Sequence, residues 1–167
     1  MKTYTEEEIT QLIECAKFVA ELPKKAMVSK SGHRRNDMRL RSEDGELDFT
    51  VFIRVSCAFP ENFSIGLVHS PKDERGAICL LRFNGPHGGF GWSAGTHGAL
   101  YHIHKAKPEN IEAGKRPEAG GEATRAFASY EQALRHFLKQ VNVREAERLF
   151  PGISNLQFNL NEERAKR

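Results

Sequence analysis

The chain has 167 residues, with 39% apolar residues, 28% charged residues and a formal net charge of +3. This length suits one well-packed domain over 1–167, and so small a charge does not by itself identify a nucleic-acid partner. No apolar run approaches the roughly 20 residues of a membrane helix, and the acidic start MKTYTEEEIT has no apolar signal region, so we expect neither a membrane protein nor a secreted one. The three cysteines are scattered within apolar patterns, which predicts buried, reduced thiols and a location in the cytoplasm.

An amphipathic helix is predicted near the N-terminus, over about 6–22. Thr5 and Glu8 form a capping box, in which each side chain satisfies a free backbone N–H of the other residue. Apolar residues then recur at helical spacing until Pro23, which cannot continue a helix. The polar and basic segment 24–37 that follows is predicted to be a loop.

Beyond residue 37 the apolar residues recur with a period of two, which is typical of β-strands. The alternation predicts strands over 38–41, 47–56, 63–69 and 99–104, separated by segments rich in turn residues. The run 77–83 is nearly all apolar apart from Arg82, which predicts a central strand covered on both faces. Short connections between successive strands favour an antiparallel meander. The predicted fold class is therefore α+β, with a sheet of about five antiparallel strands and the helices packed on one face.

The segment 107–127 is long, charged and rich in Gly, Glu and Pro, without any periodicity. We expect a mobile, structureless loop that covers a site or binds a partner, because connections of this length are otherwise uncommon. Its glutamates, among them Glu118, are predicted to be solvated loop charges. Ser129 then begins a second amphipathic helix that ends near 141, and a short helix over 144–150 and an edge strand in the tail are predicted after it.

The richest part of the sequence runs from 78 to 106 and holds four of the seven histidines. His102 and His104 are two residues apart in an alternating pattern, so on a strand both imidazoles project from the same face. The Gly-rich segment before them can bring His87 and His97 close. The sequence therefore predicts a histidine site on this strand.

Neighbouring imidazoles suit metal-free acid–base chemistry, because imidazole titrates near neutrality. One neutral and one protonated histidine can take a proton from a ribose 2′-hydroxyl and give one to the leaving 5′-oxygen. A guanidinium can stabilise the charge that develops on the phosphate. This scheme requires RNA, since DNA lacks the attacking hydroxyl. The predicted catalytic residues are His102, His104, His87 and Arg82.

The basic segment from 24 to 41 suits a polyanionic substrate, and aromatic side chains near the histidines can stack an unpaired base. RNA, or a nucleotide with a phosphodiester bond, is therefore the predicted substrate. The predicted substrate-binding residues are Tyr101, Trp92, Asn84, His97, Arg39 and Arg41.

Three alternatives stay open at this point. His102 and His104 with a third ligand, such as His97 or Glu109, would make an open zinc site, although the chain has neither HExxH nor paired CxxC. The histidines can instead be hydrogen-bonded structural residues of the sheet. A third possibility is a non-catalytic protein, for instance a phage or host defence factor, that binds its partner or ligand through 107–127.

The order Arg82-Phe83-Asn84-Gly85-Pro86-His87 and then His102-Ile103-His104 resembles small prokaryotic toxins of the TumE-like type and their uncharacterised relatives. In these, a strand ending in Arg-aromatic-Asp/Asn, a Pro-His turn and a histidine-rich strand precede a C-terminal helix. The resemblance covers roughly 47–143, with an Arg-to-His turn one residue shorter here and a longer loop after the histidine strand. It implies a ribonuclease-like toxin with a protein partner such as a cognate antitoxin.

Overall fold

The computed structural model of the chain describes residues 3–73, 76–87 and 100–149. The elements in order are α1 (Glu6–Glu14), β1 (Lys17–Glu21), β2 (Val28–Lys30), β3 (His33–Ser42), β4 (Asp48–Ser56), β5 (Phe63–His69), β6 (Ile78–Asn84), β7 (His102–Lys105), α2 (Pro108–Glu112), β8 (Glu122–Ala123), α3 (Tyr130–Gln140) and α4 (Ala146–Leu149). The predicted α+β class with an antiparallel sheet is confirmed. Within the described ranges the sheet has eight strands, so the predicted number of five is too small.

The sheet is a meander in its central part, where β3 to β7 pair in sequence order and every neighbouring pair is antiparallel. These five strands correspond to the five predicted from the sequence. The extra strands lie at the two edges. β1 and β2 both pair with β3, at different parts of its length, and β8 pairs with β7 at the other edge.

The predicted first helix is too long, because α1 ends at Glu14 and the chain continues as a strand. The capping box between Thr5 and Glu8 is present as predicted. Beyond the helix end, the ammonium group of Lys17 lies fully buried and donates to the carbonyls of Ile13 at 2.8 Å, Cys15 at 2.8 Å and Val141 at 3.1 Å. These bonds satisfy carbonyls at the ends of α1 and α3 that have no partner within the helices, and they fix Lys17 in a strand.

The segment 24–37, predicted to be a loop, forms the hairpin of β2 and β3 instead. Ser31 and Gly32 have φ angles of 51° and 73°, and Lys30 pairs directly with His33. Two consecutive residues with positive φ are typical of a tight type I′ hairpin turn. The turn extends β3 back to His33 and so adds basic residues to the sheet.

One face of the sheet is apolar and carries the helices, as predicted. Ile9 and Ile13 of α1 and Phe137 of α3 belong to the same buried cluster as the inward residues of the strands. The ring of Phe83 on β6 stacks on Phe127 with centroids 5.0 Å apart and meets Phe137 edge-on at 5.3 Å. Among the described residues, the buried hydrophobic cluster therefore lies on this side, and most of the polar side chains of the central strands project from the opposite face.

The segment 107–127 is not structureless, since it contains α2 and β8. The side-chain amide of Asn110 donates to the carbonyls of Pro117 and Ala119, which folds the segment back on itself. Glu118 and Phe127 are only 3% and 2% exposed, so the prediction of Glu118 as a solvated charge is wrong. The mobility of the segment stays a prediction.

The C-terminal helices agree with the predicted ones in position. Ser129 caps α3 by accepting from the backbone N–H of Gln132 at 3.2 Å, and α4 follows after a short turn. The tail predicted to form an edge strand lies outside the described residues. None of the helices in the described part of the chain is both long and apolar enough to cross a membrane. The three cysteines are free thiols, as predicted, but Cys57 is exposed in the turn after β4, and Cys15 and Cys79 are only partly buried.

Candidate functional site

Cross-strand pairing gathers polar side chains into two rows on the face of the sheet opposite the helices. Residues directly opposite one another in an antiparallel pair project from the same face. The first row runs across β3 to β7 as Arg35, Arg54, Ser64, Asn84 and His102. The second row, two residues further along the strands, is Asp37, Phe52, Gly66, Arg82 and His104. Side chains that are far apart in the sequence therefore meet on one surface.

A cleft of about 360 Å³ lies on this face of the sheet. Among the described residues, its lining includes the four arginines Arg35, Arg54, Arg82 and Arg116 and the three histidines His33, His87 and His104. None of the described residues that line it is acidic. A concave site with guanidinium groups and no lining carboxylate favours anionic ligands, and phosphate groups suit the planar donors of arginine particularly well.

His102 lies behind the cleft wall and is fully buried. Its Nδ1 is 2.7 Å from the carbonyl oxygen of Leu100, which can only accept, so this nitrogen carries the proton. In the neutral ring the Nε2 atom is therefore an acceptor. The side-chain nitrogen of Asn84 at 3.2 Å and Nε2 of His87 at 3.1 Å both approach it. Nε2 of His87 consequently carries a proton, and His102 orients the exposed His87 ring at the cleft.

The orientation of Asn84 is set by a chain of hydrogen bonds that begins at Arg82. Nε of Arg82 donates to the hydroxyl of Ser64 at 2.7 Å, and this hydroxyl donates to the side-chain oxygen of Asn84 at 2.8 Å. The amide nitrogen of Asn84 must then face His102. In this chain Arg82 donates to Ser64, Ser64 donates to Asn84, and Asn84 donates to His102. The direction of these hydrogen bonds requires Nε2 of the buried imidazole to be an acceptor.

His104 is 4% exposed and faces the cleft from β7. Its Nδ1 is 3.0 Å from the carbonyl oxygen of Glu118, so Nδ1 carries the proton and Nε2 holds the lone pair. Burial lowers the pKa of His104 to about 4, with further lowering by His102 and by the guanidiniums of Arg116 and Arg82. His104 is therefore neutral at neutral pH, and the Nε2 atom that holds its lone pair is buried in the free protein.

Gly121 allows the chain to lie directly against the ring of His104. A Cβ atom at this glycine would be 2.6 Å from Cε1 and 2.7 Å from Nε2 of the imidazole. Only glycine permits so close an approach of the backbone. The segment that carries the bond from Glu118 to His104 is therefore fitted to that ring.

Glu118 supplies the negative charge next to the cleft. One of its carboxylate oxygens lies 3.5 Å from Nη1 of Arg82 and 3.2 Å from Nε of Arg116, while its side chain is only 4% exposed. A buried carboxylate between two guanidiniums fixes their positions at the cleft wall. Sequence reasoning missed this role because nothing local distinguishes Glu118 from its solvated neighbours.

The structure brings some of the predicted residues together and leaves others apart. Arg82, Asn84, His87 and His104 line the cleft, and His102 lies directly behind them. Tyr101 is on the opposite face, where its ring packs against Phe63 and Phe127 at 6.2 and 5.7 Å. Trp92 and His97 lie outside the described residues.

Arg39 and Arg41 are on the polar face but do not line the cleft. Arg39 lies 3.4 Å from Glu21, and Arg41 lies 2.9 Å from Asp48. Each guanidinium thus has a carboxylate partner of its own. Three further arginines line the cleft. Arg35 belongs to the basic segment 24–41 that was predicted to suit a polyanion, whereas Arg54 and Arg116 were missed from the sequence.

Within 3–73, 76–87 and 100–149, no group of three or more His, Cys, Asp or Glu side chains is arranged to hold a metal ion. His97, one of the third ligands that the zinc alternative considers, is outside these ranges. No family model matches the chain, and neither does any curated protein or any solved structure. The resemblance to TumE-like toxins stays a prediction.

Proposed function

We propose that this chain is a ribonuclease that works without a metal, in which the ribose 2′-hydroxyl attacks the adjacent phosphodiester. One observation carries the proposal: His87 and His104 line the same arginine-rich cleft, and His102 lies between them. The ring centroid of His102 is 4.9 Å from that of His87 and 5.0 Å from that of His104. Two imidazoles beside one cationic cleft are what proton removal and proton donation around a phosphate require.

The scissile phosphate is assigned to Arg82 and Arg116. Both guanidiniums are held at the cleft wall by Glu118, and Arg82 is fixed in addition by Ser64. Donors that are positioned before the substrate arrives stabilise the charge of the transition state without reorganisation. This pair therefore supplies the electrostatic part of the proposed catalysis.

His104 is the proposed base. Its ring is neutral and its Nδ1–H is bound to the carbonyl of Glu118, so the Nε2 lone pair is the atom that accepts a proton. In the free protein Nε2 is buried and lies against Gly121, so the proposed proton transfer requires the backbone at Gly121 to move aside when RNA binds. A pKa of about 4 makes it a weak base in the free protein. A phosphate at Arg82 and Arg116 brings negative charge next to the ring, which offsets the lowering that these guanidiniums cause.

His87 is the proposed acid. When it is protonated, its Nε2–H is donated to His102 and its Nδ1–H faces outward as the donor to the leaving oxygen. His102 supports this form because its Nε2 atom is an acceptor only. Its role is to position His87, and it need not touch the substrate.

The proposed step balances in atoms and protons. The bond between the 2′-oxygen and phosphorus forms, and the bond between phosphorus and the 5′-oxygen breaks. The 2′-hydroxyl proton moves to His104, and the proton on His87 moves to the 5′-oxygen. The products are a 2′,3′-cyclic phosphate and a 5′-hydroxyl end, and exchange with water restores both histidines.

The test is cleavage of a labelled single-stranded RNA by the wild type and by His87→Ala and His104→Asn, prepared side by side. Loss of either group is expected to lower the rate about 10²- to 10⁴-fold, as removal of a general acid or base usually does. His136→Gln is the matched control, since His136 is an exposed histidine of α3, on the opposite side of the sheet. It should retain the wild-type rate, whereas a contaminating nuclease would cleave the RNA at the same rate in all four preparations.

Three further measurements distinguish the proposed ribonuclease from the alternative functions. DNA of the same sequence must resist cleavage, because it lacks the 2′-hydroxyl. Loss of cleavage with a chelator and its recovery with zinc would favour the zinc-dependent alternative. Binding of RNA without any turnover would favour a non-catalytic binding protein.

The toxin role is part of the proposal and rests on the resemblance to TumE-like toxins. If it holds, production of the wild-type chain arrests bacterial growth and production of His87→Ala does not. A cognate antitoxin or a defence component is the partner that such a role implies. The cytoplasm is the proposed location, which the three free cysteines support.

A further inference from the structure

Arg35 and Arg54 are a second pair of guanidiniums in the cleft, separate from the pair that Glu118 holds. They are directly opposite one another on β3 and β4. Like charges in this arrangement destabilise a sheet. Neither side chain has a carboxylate partner within the described part of the chain, and Nε of Arg35 is buried there without a hydrogen-bond partner. A buried, unpaired donor beside an unneutralised cation indicates a place for an anion.

The charges in the cleft exceed what one phosphodiester can neutralise. Arg82, Arg116 and Glu118 together carry one net positive charge, which corresponds to one phosphodiester. Arg35 and Arg54 add two positive charges to the same cleft. The ligand that suits all four guanidiniums therefore has more than one phosphate group.

The two arginine pairs lie on one continuous surface. The ring of Phe52 is 5.0 Å from the guanidinium carbon of Arg54 and 5.6 Å from that of Arg82. Arg54 is on β4 and Arg82 is on β6, and only β5 lies between these two strands, so the two residues are about 10 Å apart across the sheet. A cleft of about 360 Å³ is of small-molecule size and admits one strand rather than a duplex.

The geometry points to a second phosphate subsite at Arg35 and Arg54, which binds a phosphodiester next to the one that is cleaved. This inference rests on the proposed function and deepens it, because it defines the substrate class. The substrate is a single strand with at least two consecutive phosphodiesters. A dinucleotide with one phosphodiester or a mononucleotide would leave this pair unused.

The test compares the binding of matched probes by fluorescence anisotropy. One probe is a labelled 2′-O-methyl RNA trinucleotide, which resists cleavage and has two phosphodiesters. The other is the same trinucleotide with a neutral methylphosphonate at one linkage. The wild type is expected to bind the doubly charged probe about tenfold more tightly, as for one charge-assisted contact. The slope of log affinity against log salt concentration should be steeper by about 0.7 for the doubly charged probe than for the singly charged one.

In the double variant Arg35→Gln with Arg54→Gln, the preference for the doubly charged probe should fall to about twofold or less. Arg39→Gln with Arg41→Gln is the matched control, because these arginines lie on the same face outside the cleft, and it should keep the wild-type preference. The single variant Arg54→Gln changes an exposed residue and gives the same test without altering Arg35.

Three outcomes would overturn the inference. If the double variant keeps its preference, or loses affinity equally for both probes, the second subsite does not exist although the ribonuclease proposal stands. If a nucleoside diphosphate competes as well as the trinucleotide does, the cleft takes a pyrophosphate rather than two diesters. If the wild type binds neither trinucleotide, the proposed function itself fails.

Discussion

The Nε2 atoms of His87 and His102 lie 3.1 Å apart, and only His87 is exposed to solvent. Two nitrogens at this distance share one proton, and the bond from Nδ1 of His102 to the carbonyl of Leu100 assigns that proton to His87. The two imidazoles therefore have different tasks in the proposed mechanism. His87 contacts the substrate, and His102 sets the orientation of His87.

The tautomers of the buried histidines are open to direct measurement. His102 and His104 each have Nδ1 next to a backbone carbonyl, so both are expected in the Nδ1–H form near about pH 8. Long-range ¹H–¹⁵N correlation spectra distinguish the two tautomers. Detection of a proton on Nε2 of His102 would contradict the hydrogen-bond chain from Arg82.

Substitution of His102 should affect turnover more than binding. His102→Phe removes the acceptor for His87, and misplacement of a reacting group by about 1 Å costs roughly 10²-fold in kcat. His102→Gln offers an oxygen near the former Nε2 position and should recover part of this loss. KM should change little in both variants, since His102 does not line the cleft. If both variants instead raise KM by the same factor and leave kcat unchanged, His102 has no positioning role.

Much of the fold follows from local patterns in the sequence. Four of the strands from β3 to β7 were predicted from alternating apolar residues and β6 from its nearly continuous apolar run, while α3 was predicted because its apolar residues recur at helical spacing. β1 was missed because Lys17 is buried by carbonyls from two helices, which no local pattern indicates. A short apolar stretch after a capped helix fits a continuing helix equally well.

The candidate site was predictable in part. The alternation that places His102 and His104 on one face also places Tyr101 on the other, so its predicted role in stacking a base conflicted with the strand pattern. The basic segment that contains Arg35 was recognised, but the position of Arg35 opposite Arg54 was out of reach because it depends on the hairpin turn at 31–32. Side-chain register of this kind is set by turn geometry and strand pairing over long distances.

The stability of the protein should fall between about pH 6.5 and pH 4 because of His104. Burial and nearby positive charge lower the pKa of His104 from 6.5 to about 4 in the folded state. The unfolded chain takes up this proton near pH 6.5, so in this window the unfolded state binds more protons and is favoured as the pH falls. The contribution of His104 is fully present above this window, and its loss amounts to about 3 kcal/mol at the acid end.

His104→Asn is the matched variant for this measurement. The asparagine amide can still donate to the carbonyl of Glu118, but it does not titrate. Urea denaturation at about pH 5 and about pH 8 should show a smaller pH dependence in the variant than in the wild type. An equal dependence in both proteins would show that His104 titrates normally.

Gly121→Ala should destabilise the fold through contact with the ring of His104. The added methyl group would lie 2.6 Å from the imidazole, and overpacking of this kind costs about 1–3 kcal/mol. In a His104→Ala background the ring is gone, so the cost of Gly121→Ala should be smaller. The difference between the two backgrounds, measured by denaturation, gives the coupling energy of the pair. If the destabilisation by Gly121→Ala is the same in both backgrounds, it does not arise from contact with the ring of His104.

Arg54→Thr should stabilise the free protein while it weakens RNA binding. The substitution removes the like-charge pair with Arg35, which is worth about 0.2–1 kcal/mol at low salt, and threonine suits a strand. Added phosphate should raise the melting temperature of the wild type more than that of the variant, because the anion restores the charge balance only where both arginines are present. Arg41→Thr is the control, since Arg41 has Asp48 as its partner at 2.9 Å and its loss should not stabilise the chain. If Arg54→Thr lowers the melting temperature instead, the two guanidiniums do not repel one another in the folded protein.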